Sequence, residues 1–206
     1  FSQTSASLIK TIVCFNTDYT MISIILTGAA VIREREHGTL EHLLVMPLSP
    51  FEIVMAKIWA NGLVILLLTA FSLFIVIEGL LQVPIHGSPG LFLFGVAIHL
   101  FATTSLGILL GTQARTMPQL GLLMILILLP LQMLSGGVTP RESMPEVVQN
   151  IMLLAPTTHF VKFAQAILYR GAGWDVVWPY FLALTVIGSV FFIVALMRFR
   201  KSVAQG

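Results

Sequence analysis

Residues 33–50 read REREHGTLEHLLVMPLSP and form the one long charged interruption in a chain of mainly apolar stretches. Charge is costly in hydrocarbon, so this segment must lie in water or against a partner protein. A short, helix-forming, charged segment between two apolar runs predicts a docking element. Its charged and ionisable residues are Arg33, Glu34, Arg35, Glu36, His37, Glu41 and His42.

The composition around this segment is that of a membrane protein. Of the 206 residues, 57% are hydrophobic and only 10% are charged, whereas soluble domains carry about 25% charged residues. We therefore predict an all-α integral membrane protein. The net charge of +2 comes from scattered residues near helix ends and does not indicate nucleic-acid binding. Cys14 is the only cysteine, which excludes an internal disulfide.

The beginning of the chain lacks the pattern of a secretory signal peptide. It starts at Phe1, and no basic stretch precedes a short apolar core with a cleavage site. We expect a single transmembrane domain, residues 1–206, that is the C-terminal part of a longer polypeptide.

Five apolar runs are long enough, or nearly long enough, to cross a bilayer. A spanning helix needs about 20 mostly apolar residues, and each spanning backbone amide must be satisfied within its own helix. The predicted spans are residues 8–32, 52–79, 91–111, 117–135 and 175–197.

Basic residues near the span ends predict the orientation. Because Lys and Arg accumulate on the cytoplasmic side, the N-terminus should be outside and the C-terminus inside. Trp174, Trp178 and Tyr180 would then anchor the outer end of the last span in the headgroup layer. The residues that collect on the cytoplasmic side are Arg33, Arg35, Lys57, Arg115, Arg198, Arg200 and Lys201.

The charged segment contains the signals of a short helix and of a second helix start. Thr39 can cap a helix over residues 40–46, which Pro47 ends. Leu40, Leu43 and Leu44 would share one face of that helix. From Ser49 to Glu52 the spacing is that of a capping box with Pro50 at the first helical position. Lys57 would then reach the membrane interface.

Residues 143–170 predict two further helices, on the outer side. Ser143 to Glu146 has capping-box spacing, Pro156 breaks the first helix, and Thr157 or Thr158 can cap the second. Gly171 can end the second helix. Both are too short and too polar to span, so we predict interfacial or re-entrant helices. The second carries an apolar stripe of Phe160, Phe163, Ala164, Ile167 and Leu168.

Most catalytic motifs are absent from the sequence. The phosphate-binding loop G-x-x-x-x-G-K-[ST] does not occur, so no ATP site of that kind and no resident cofactor is predicted. His37, Glu41 and His42 could be considered as metal ligands. However, Gly38 and Thr39 interrupt a helix there, and neighbouring arginines oppose a cation, so a solvated or partner-facing surface is favoured and no metal site is predicted.

Polar residues inside the third span allow two interpretations. Intramembrane ionisable residues are candidates for function, and His99, Thr103 and Thr104 could line a transport path. A neutral His99, hydrogen-bonded to a neighbouring helix such as through Thr103, is the favoured alternative. In the fourth span, Pro130 should introduce a kink, and Gly136 and Gly137 should end the helix.

Several stretches together resemble the membrane subunits of ABC-2-type exporters. They are REREHGTLEHLLVMPLSPFEIVMAKIW at residues 33–59, ATTSLGILLGTQARTMPQLGLLMILILLPLQMLSGGVTPRESMPE at 102–146, PTTHFVKFAQAILYRGAG at 156–173, and the closing RFRK at 198–201. The resemblance holds in order and spacing from about residue 20 to residue 201. It is greatest to bacterial inner-membrane permeases assigned to multidrug export.

This resemblance implies a larger assembly. Such permeases have six spans, with a large extracytoplasmic domain after the first, and this chain would supply helices 2–6. Two permeases, identical or different, would act with two ATPase subunits or domains that bind ATP and Mg²⁺. By resemblance, the ATPase-coupling residues are Arg33, Glu34, Arg35, Glu36, His37, Gly38, Thr39, Leu40, Glu41, Leu43 and Leu44. The outer re-entrant or gate residues are Ser135, Gly136, Gly137, Pro140, Pro145 and Pro156.

Three functional hypotheses follow. The leading one is a permease subunit, without enzymatic activity of its own, that moves an amphipathic substrate (drug, lipid or glycan) across the bacterial inner membrane. The second is a non-transporting membrane anchor or scaffold for an ATPase. The third, a membrane enzyme using His99 or the region of His37 and His42, is the least favoured.

Overall fold

The computed structural model describes residues 3–36, 49–75, 87–135 and 144–204. Within these ranges all regular elements are helices and none is a strand, which confirms the predicted all-α class. The helices are α1 (Gln3–Glu36), α2 (Pro50–Phe71), α3 (Pro89–Gln113), α4 (Met117–Met133), α5 (Glu146–Ile151), a 3₁₀ turn (Met152–Leu154), α6 (Pro156–Arg170) and α7 (Trp174–Ala204).

Three of the described helices are long and apolar enough to cross a membrane: Phe51–Ile75, Pro89–Gln113 and Trp174–Arg200. A fourth span would result if α5, the 3₁₀ turn and α6 were one broken span, since the two parts meet at an angle of 92°. Helix α4 is apolar and 17 residues long, slightly less than the usual span. The count of five spans and the orientation stay predictions.

Local sequence signals explain most helix ends. Ser49 Oγ accepts the Glu52 N–H at 3.3 Å, and Glu52 Oε2 accepts the Ser49 N–H at 2.7 Å, so the predicted capping box at the start of α2 is confirmed. Gly171 ends α6 with φ of 62°, as predicted. Thr116, not identified from the sequence, caps α4 by accepting the Gln119 N–H.

Other predicted helix ends were wrong. Neither Thr157 nor Thr158 caps α6, because both residues lie inside the helix. It begins at Pro156, and its N-cap, Ala155, makes no side-chain cap bond. Pro fits the first helical position because it has no N–H to satisfy. Likewise α5 starts after Pro145 without a side-chain cap bond. Ser143 and Thr39, the other predicted caps, lie outside the described residues.

Helix α4 ends sooner than the sequence suggested. Pro130 lies inside its last turn, and Leu134 is its C-cap, with its N–H donating to the Pro130 carbonyl. The end therefore comes before Gly136 and Gly137, which lie outside the described residues.

The interior is organised around α3, which packs against α1, α2, α4, α6 and α7. At one end of α3, Phe92 packs with Phe160 and Phe163 of α6, and Phe163 in turn packs with Phe181 of α7. All five members of the predicted α6 stripe are buried there, which confirms the stripe.

The contact between α1 and α3 is unusually close. A methyl group added at Gly107 would lie 2.7 Å from the Ile24 carbonyl oxygen, and one added at Gly111 would lie 2.8 Å from the Gly28 carbonyl oxygen. Gly107 and Gly111 have the G-x-x-x-G spacing that lets membrane helices approach each other.

Candidate functional site

The charged end of the helices, where residues 37–48 join α1 to α2, is the candidate site. Two side chains fix the ends of this connection. Lys57 of α2 donates to the Glu34 carboxylate of α1 in an ion pair whose side chains are 13% and 28% exposed. Lys57 is predicted from the sequence to reach the membrane interface, but no local pattern indicates its Glu34 partner. A pair so shielded from water is less screened than a surface pair.

A second tie joins α1 to α4. The N–H of Met117, in the first turn of α4, donates to Glu36 Oε1 at 3.3 Å. Free N–H groups and the positive end of the helix dipole favour a carboxylate at this position. In the loop just before α4, the Arg115 N–H donates to Gln119 Oε1 at 2.9 Å. The end of α1 is therefore held by both α2 and α4.

An apolar cluster lies beneath these ties and joins four helices. It contains Val31 of α1, Val54 and Ile58 of α2, Ile108 of α3, and Ala195 and Phe199 of α7, all buried. Phe51, at the start of α2, also meets Phe192 of α7 edge to face, with ring centroids 5.7 Å apart. Buried apolar packing of this kind resists deformation. The cluster therefore holds α1, α2, α3 and α7 together at this end of the molecule.

The structure describes part of the predicted coupling set. Arg33 and Glu36 are exposed, Glu34 is half-buried in its ion pair, and Arg35 lies in the last turn of α1. The rest of the set lies outside the described residues: His37, Gly38, Thr39, Leu40, Glu41, Leu43 and Leu44. The coupling role itself stays a prediction.

The predicted outer gate lies at the opposite end of the helices. Ser135 is buried, and its hydroxyl donates to the Gln132 carbonyl at 2.9 Å. Pro145 precedes α5, and buried Pro156 starts α6 at the 92° bend. The remaining predicted members, Gly136, Gly137 and Pro140, lie outside the described residues. A bent helical pair is the geometry of either a re-entrant loop or a broken span.

His99 is held inside the protein. Its Nε2 lies 3.2 Å from Thr20 Oγ1 of α1, and its ring stacks on Phe160 with centroids 4.5 Å apart. The partner on a neighbouring helix is therefore Thr20 and not the suggested Thr103. Thr103 donates to the His99 carbonyl and Thr104 to the Leu100 carbonyl, within α3 itself. Because α1 is far from α3 in sequence, no local pattern indicates the Thr20 contact.

A path-lining role for His99, Thr103 and Thr104 remains a prediction. All three are at most 1% exposed, and none of them lines the apolar groove between α2 and α3. In the described part of the chain, no group of three or more His, Cys, Asp or Glu residues could hold a metal ion. The candidates considered for a metal, His37, Glu41 and His42, lie outside it.

The structure is an assembly of apolar helices with a charged end tied by Glu34, Glu36 and Lys57. The chain belongs to the ABC-2 type transporter family, which matches residues 2–169, and the resemblance seen in the sequence is thereby confirmed. The family is one of transporter components and not of enzymes that act alone.

Curated relatives agree with this membership. The chain is 67% identical over 184 residues to the "Inner membrane transport permease YhhJ" of Escherichia coli (strain K12), covering 89% of this chain and 49% of that protein. It is 33% identical over 182 residues to the "Probable multidrug ABC transporter permease YbhR" of the same organism, covering 87% and 48%. The chain thus spans about half the length of the curated relatives it matches. It is a multi-pass protein of the inner membrane, as predicted.

Proposed function

We propose that this chain is the membrane-embedded part of an ATP-driven exporter and that its charged end receives the motion of an ABC ATPase. The observation that carries this proposal is the double tie on α1, through Glu34 to Lys57 and through Glu36 to the start of α4. A connection anchored at both ends can transmit force, whereas a slack loop would absorb it.

The proposed stroke begins when the ATPase pushes or pulls residues 37–48. Because α1 and α2 are clamped to each other and to α3 and α7 beneath, the displacement moves the helices as rigid bodies. Nucleotide chemistry stays with the partner ATPase, which binds ATP and Mg²⁺. A second permease, identical or different, would complete the path.

The proposed substrate is amphipathic, such as a drug, lipid or glycan. An apolar groove of about 140 Å³ runs between α2 and α3 and is lined by side chains that include Trp59, Leu63 and Phe101. Such a surface favours a substrate with a large apolar part that moves along or within the bilayer. The relative at 33% identity is named as a multidrug transporter permease, which is further support.

The test uses full-length permease reconstituted with its cognate ATPase in proteoliposomes. Glu41→Lys and Leu43→Asp each change the charge of the 37–48 connection. We expect each substitution to lower both the rate of permease-stimulated ATP hydrolysis and the rate of dye export. The rates should fall about tenfold or more if the activation free energy of stimulated hydrolysis rises by at least about 1.4 kcal/mol. The amount of assembled permease and its melting temperature should stay unchanged.

Arg200→Gln is the matched control, since it removes an exposed charge at the same end of the molecule but outside the connection. It should retain both activities. Normal stimulated hydrolysis in both connection variants would refute the coupling proposal. Stimulated hydrolysis without export of any amphipathic probe in the unmodified complex would instead favour an ATPase anchor over an exporter.

A further inference from the structure

A second cavity, of about 520 Å³, lies between α6 and α7 at the end of the molecule opposite the charged connection. Its size falls in the usual range of ligand sites, about 300–1,000 Å³. The described residues that line it include two cations, Lys162 and Arg170, and no carboxylate. Gln165 and Tyr180 add hydrogen-bonding groups, and Ala166 and Val176 add apolar surface.

Helix α6 presents these cations on one face because of its amphipathic pattern. Its apolar stripe is buried against α3 and α7, which leaves Lys162, Gln165 and Arg170 on the other side. Lys162 and Arg170 are eight residues apart, so they lie about 80° from each other around the helix axis and about 12 Å apart along it. Two long side chains at that spacing can reach toward one anion between them.

Helix α7 forms the other wall and indicates the depth of the cavity. Lys162 Nζ lies 5.9 Å from the centroid of the Tyr180 ring, within the range of a cation–π contact. Trp174 and Trp178, on the same turns of α7, are 54% and 49% exposed. Exposed Trp at the end of a spanning helix is typical of the headgroup layer. The cavity therefore lies where phospholipid phosphates are found.

Charge distribution gives an independent reason to look for an anion. Most Lys and Arg residues of the chain accumulate at the opposite end, as expected for a cytoplasmic side. Lys162 and Arg170 are exceptions to this trend, and they border the same cavity. Arg in particular matches the planar, two-oxygen geometry of a phosphate group.

We infer that this cavity binds the phosphodiester of a membrane phospholipid, with Lys162 and Arg170 as its charged ligands. Gln165 and the Tyr180 hydroxyl face the polar headgroup, and the side chains of Ala166 and Val176 contact its glycerol end. The site would hold a lipid at the junction of α6 and α7. The inference does not rest on ATP coupling or on export.

Native mass spectrometry of the full-length permease in mild detergent tests this site. The probes are phosphatidylglycerol, diacylglycerol, which lacks the phosphate, and inorganic phosphate. We expect phosphatidylglycerol to stay bound. Removing each cation, by Lys162→Gln or Arg170→Gln, should weaken its binding about fivefold. Arg200→Gln is the control because it removes one exposed positive charge at the other end.

Unchanged phosphatidylglycerol binding in both cavity variants would overturn the inference, as would an equal loss in the control. Diacylglycerol binding as tightly as phosphatidylglycerol would also overturn it, because the phosphate would then be irrelevant. Inorganic phosphate that competes fully with the lipid would identify a free-anion site instead. Arg170 is exposed, so Arg170→Gln should leave the fold intact, and its melting temperature verifies this.

Discussion

At the scale of single residues, the Glu34–Lys57 pair is the clearest link between the sequence and the proposed coupling to an ATPase. Its two members are 23 positions apart and belong to different helices. Both side chains are largely shielded from water, so removing one would leave the other charge without its counterion. Removing one partner costs far more stability than the intact pair contributes, because the remaining charge stays shielded from water and has no counterion.

We therefore predict that Lys57→Met destabilises the permease by about 1–2 kcal/mol, between the values typical of exposed and buried pairs. Glu34→Lys should be at least as damaging because it places two cations together. The exchanged double variant, Glu34→Lys with Lys57→Glu, should recover most of the loss. Denaturant unfolding in detergent micelles measures these free energies. If the losses of unfolding free energy caused by the two single exchanges simply add in the double variant, Glu34 and Lys57 do not interact.

At the scale of helices, the packing of α1 on α3 depends on the absence of side chains. Gly107 and Gly111 bring the two backbones into contact at Ile24 and Gly28. The hydrophobic effect does not drive helices to associate within lipid. Close van der Waals packing of this kind therefore contributes strongly to the association of α1 with α3.

Gly107→Ala and Gly111→Ala should each destabilise the permease by about 1–3 kcal/mol, the usual cost of overpacking. The atoms nearest to the added methyl groups are the backbone carbonyl oxygens of Ile24 and Gly28. They cannot move aside unless the whole helix shifts. Gly121→Ala in α4 is the matched control, since nothing lies within 4 Å of the added methyl group. It should not reduce stability. Steric-trapping or denaturant unfolding measures the difference, and equal stability of all three variants would disprove the close contact.

These elements also show what the sequence could and could not predict. The capping box at Ser49, the end of α6 at Gly171 and the apolar stripe of α6 are local patterns, and each was predicted correctly. The burial of that stripe against α3 and α7 was not predicted. The Thr20–His99 and Glu34–Lys57 contacts depend on how separate helices align, which spacing along one helix does not encode. The break at Pro156 was predicted correctly, but the cap at Thr157 or Thr158 was not, because α6 begins at Pro156 itself.

At the scale of the whole molecule, the two ends differ in chemistry. One end carries the ion pair, the Glu36 tie and most of the basic residues. The other carries the bent pair of α5 and α6, the exposed Trp174 and Trp178, and the cavity lined by Lys162 and Arg170. This polarity agrees with a cytoplasmic end that receives force and an outer end that meets lipid headgroups. The orientation predicted from the basic residues near the span ends stays a prediction, and the bend of α5 on α6 admits two topologies.

Cysteine labelling distinguishes these topologies and also tests the orientation. Cys14 is the only cysteine of the 206-residue sequence. Cys14→Ala, with any cysteine elsewhere in the full-length permease also replaced, gives a background for single cysteines at exposed positions: Gln113 and Arg200 at the charged end, and Asn150 and Asp175 around the bent pair. In spheroplasts, a membrane-impermeant maleimide should label Asn150→Cys and Asp175→Cys. It should label Gln113→Cys and Arg200→Cys only after lysis, because the positive-inside rule places those positions in the cytoplasm.

Labelling of Asn150→Cys and Asp175→Cys from opposite sides would mean that α5 and α6 form one broken span, and the re-entrant prediction would be wrong. The reverse pattern, with Arg200→Cys labelled in intact spheroplasts, would place the connection of residues 37–48 outside the cell. No cytoplasmic ATPase could then reach it, and the proposed coupling would fail. A Cys14→Ala protein without added cysteine is the labelling blank, and retained ATPase stimulation in each variant verifies that the introduced cysteine has not disturbed the assembly.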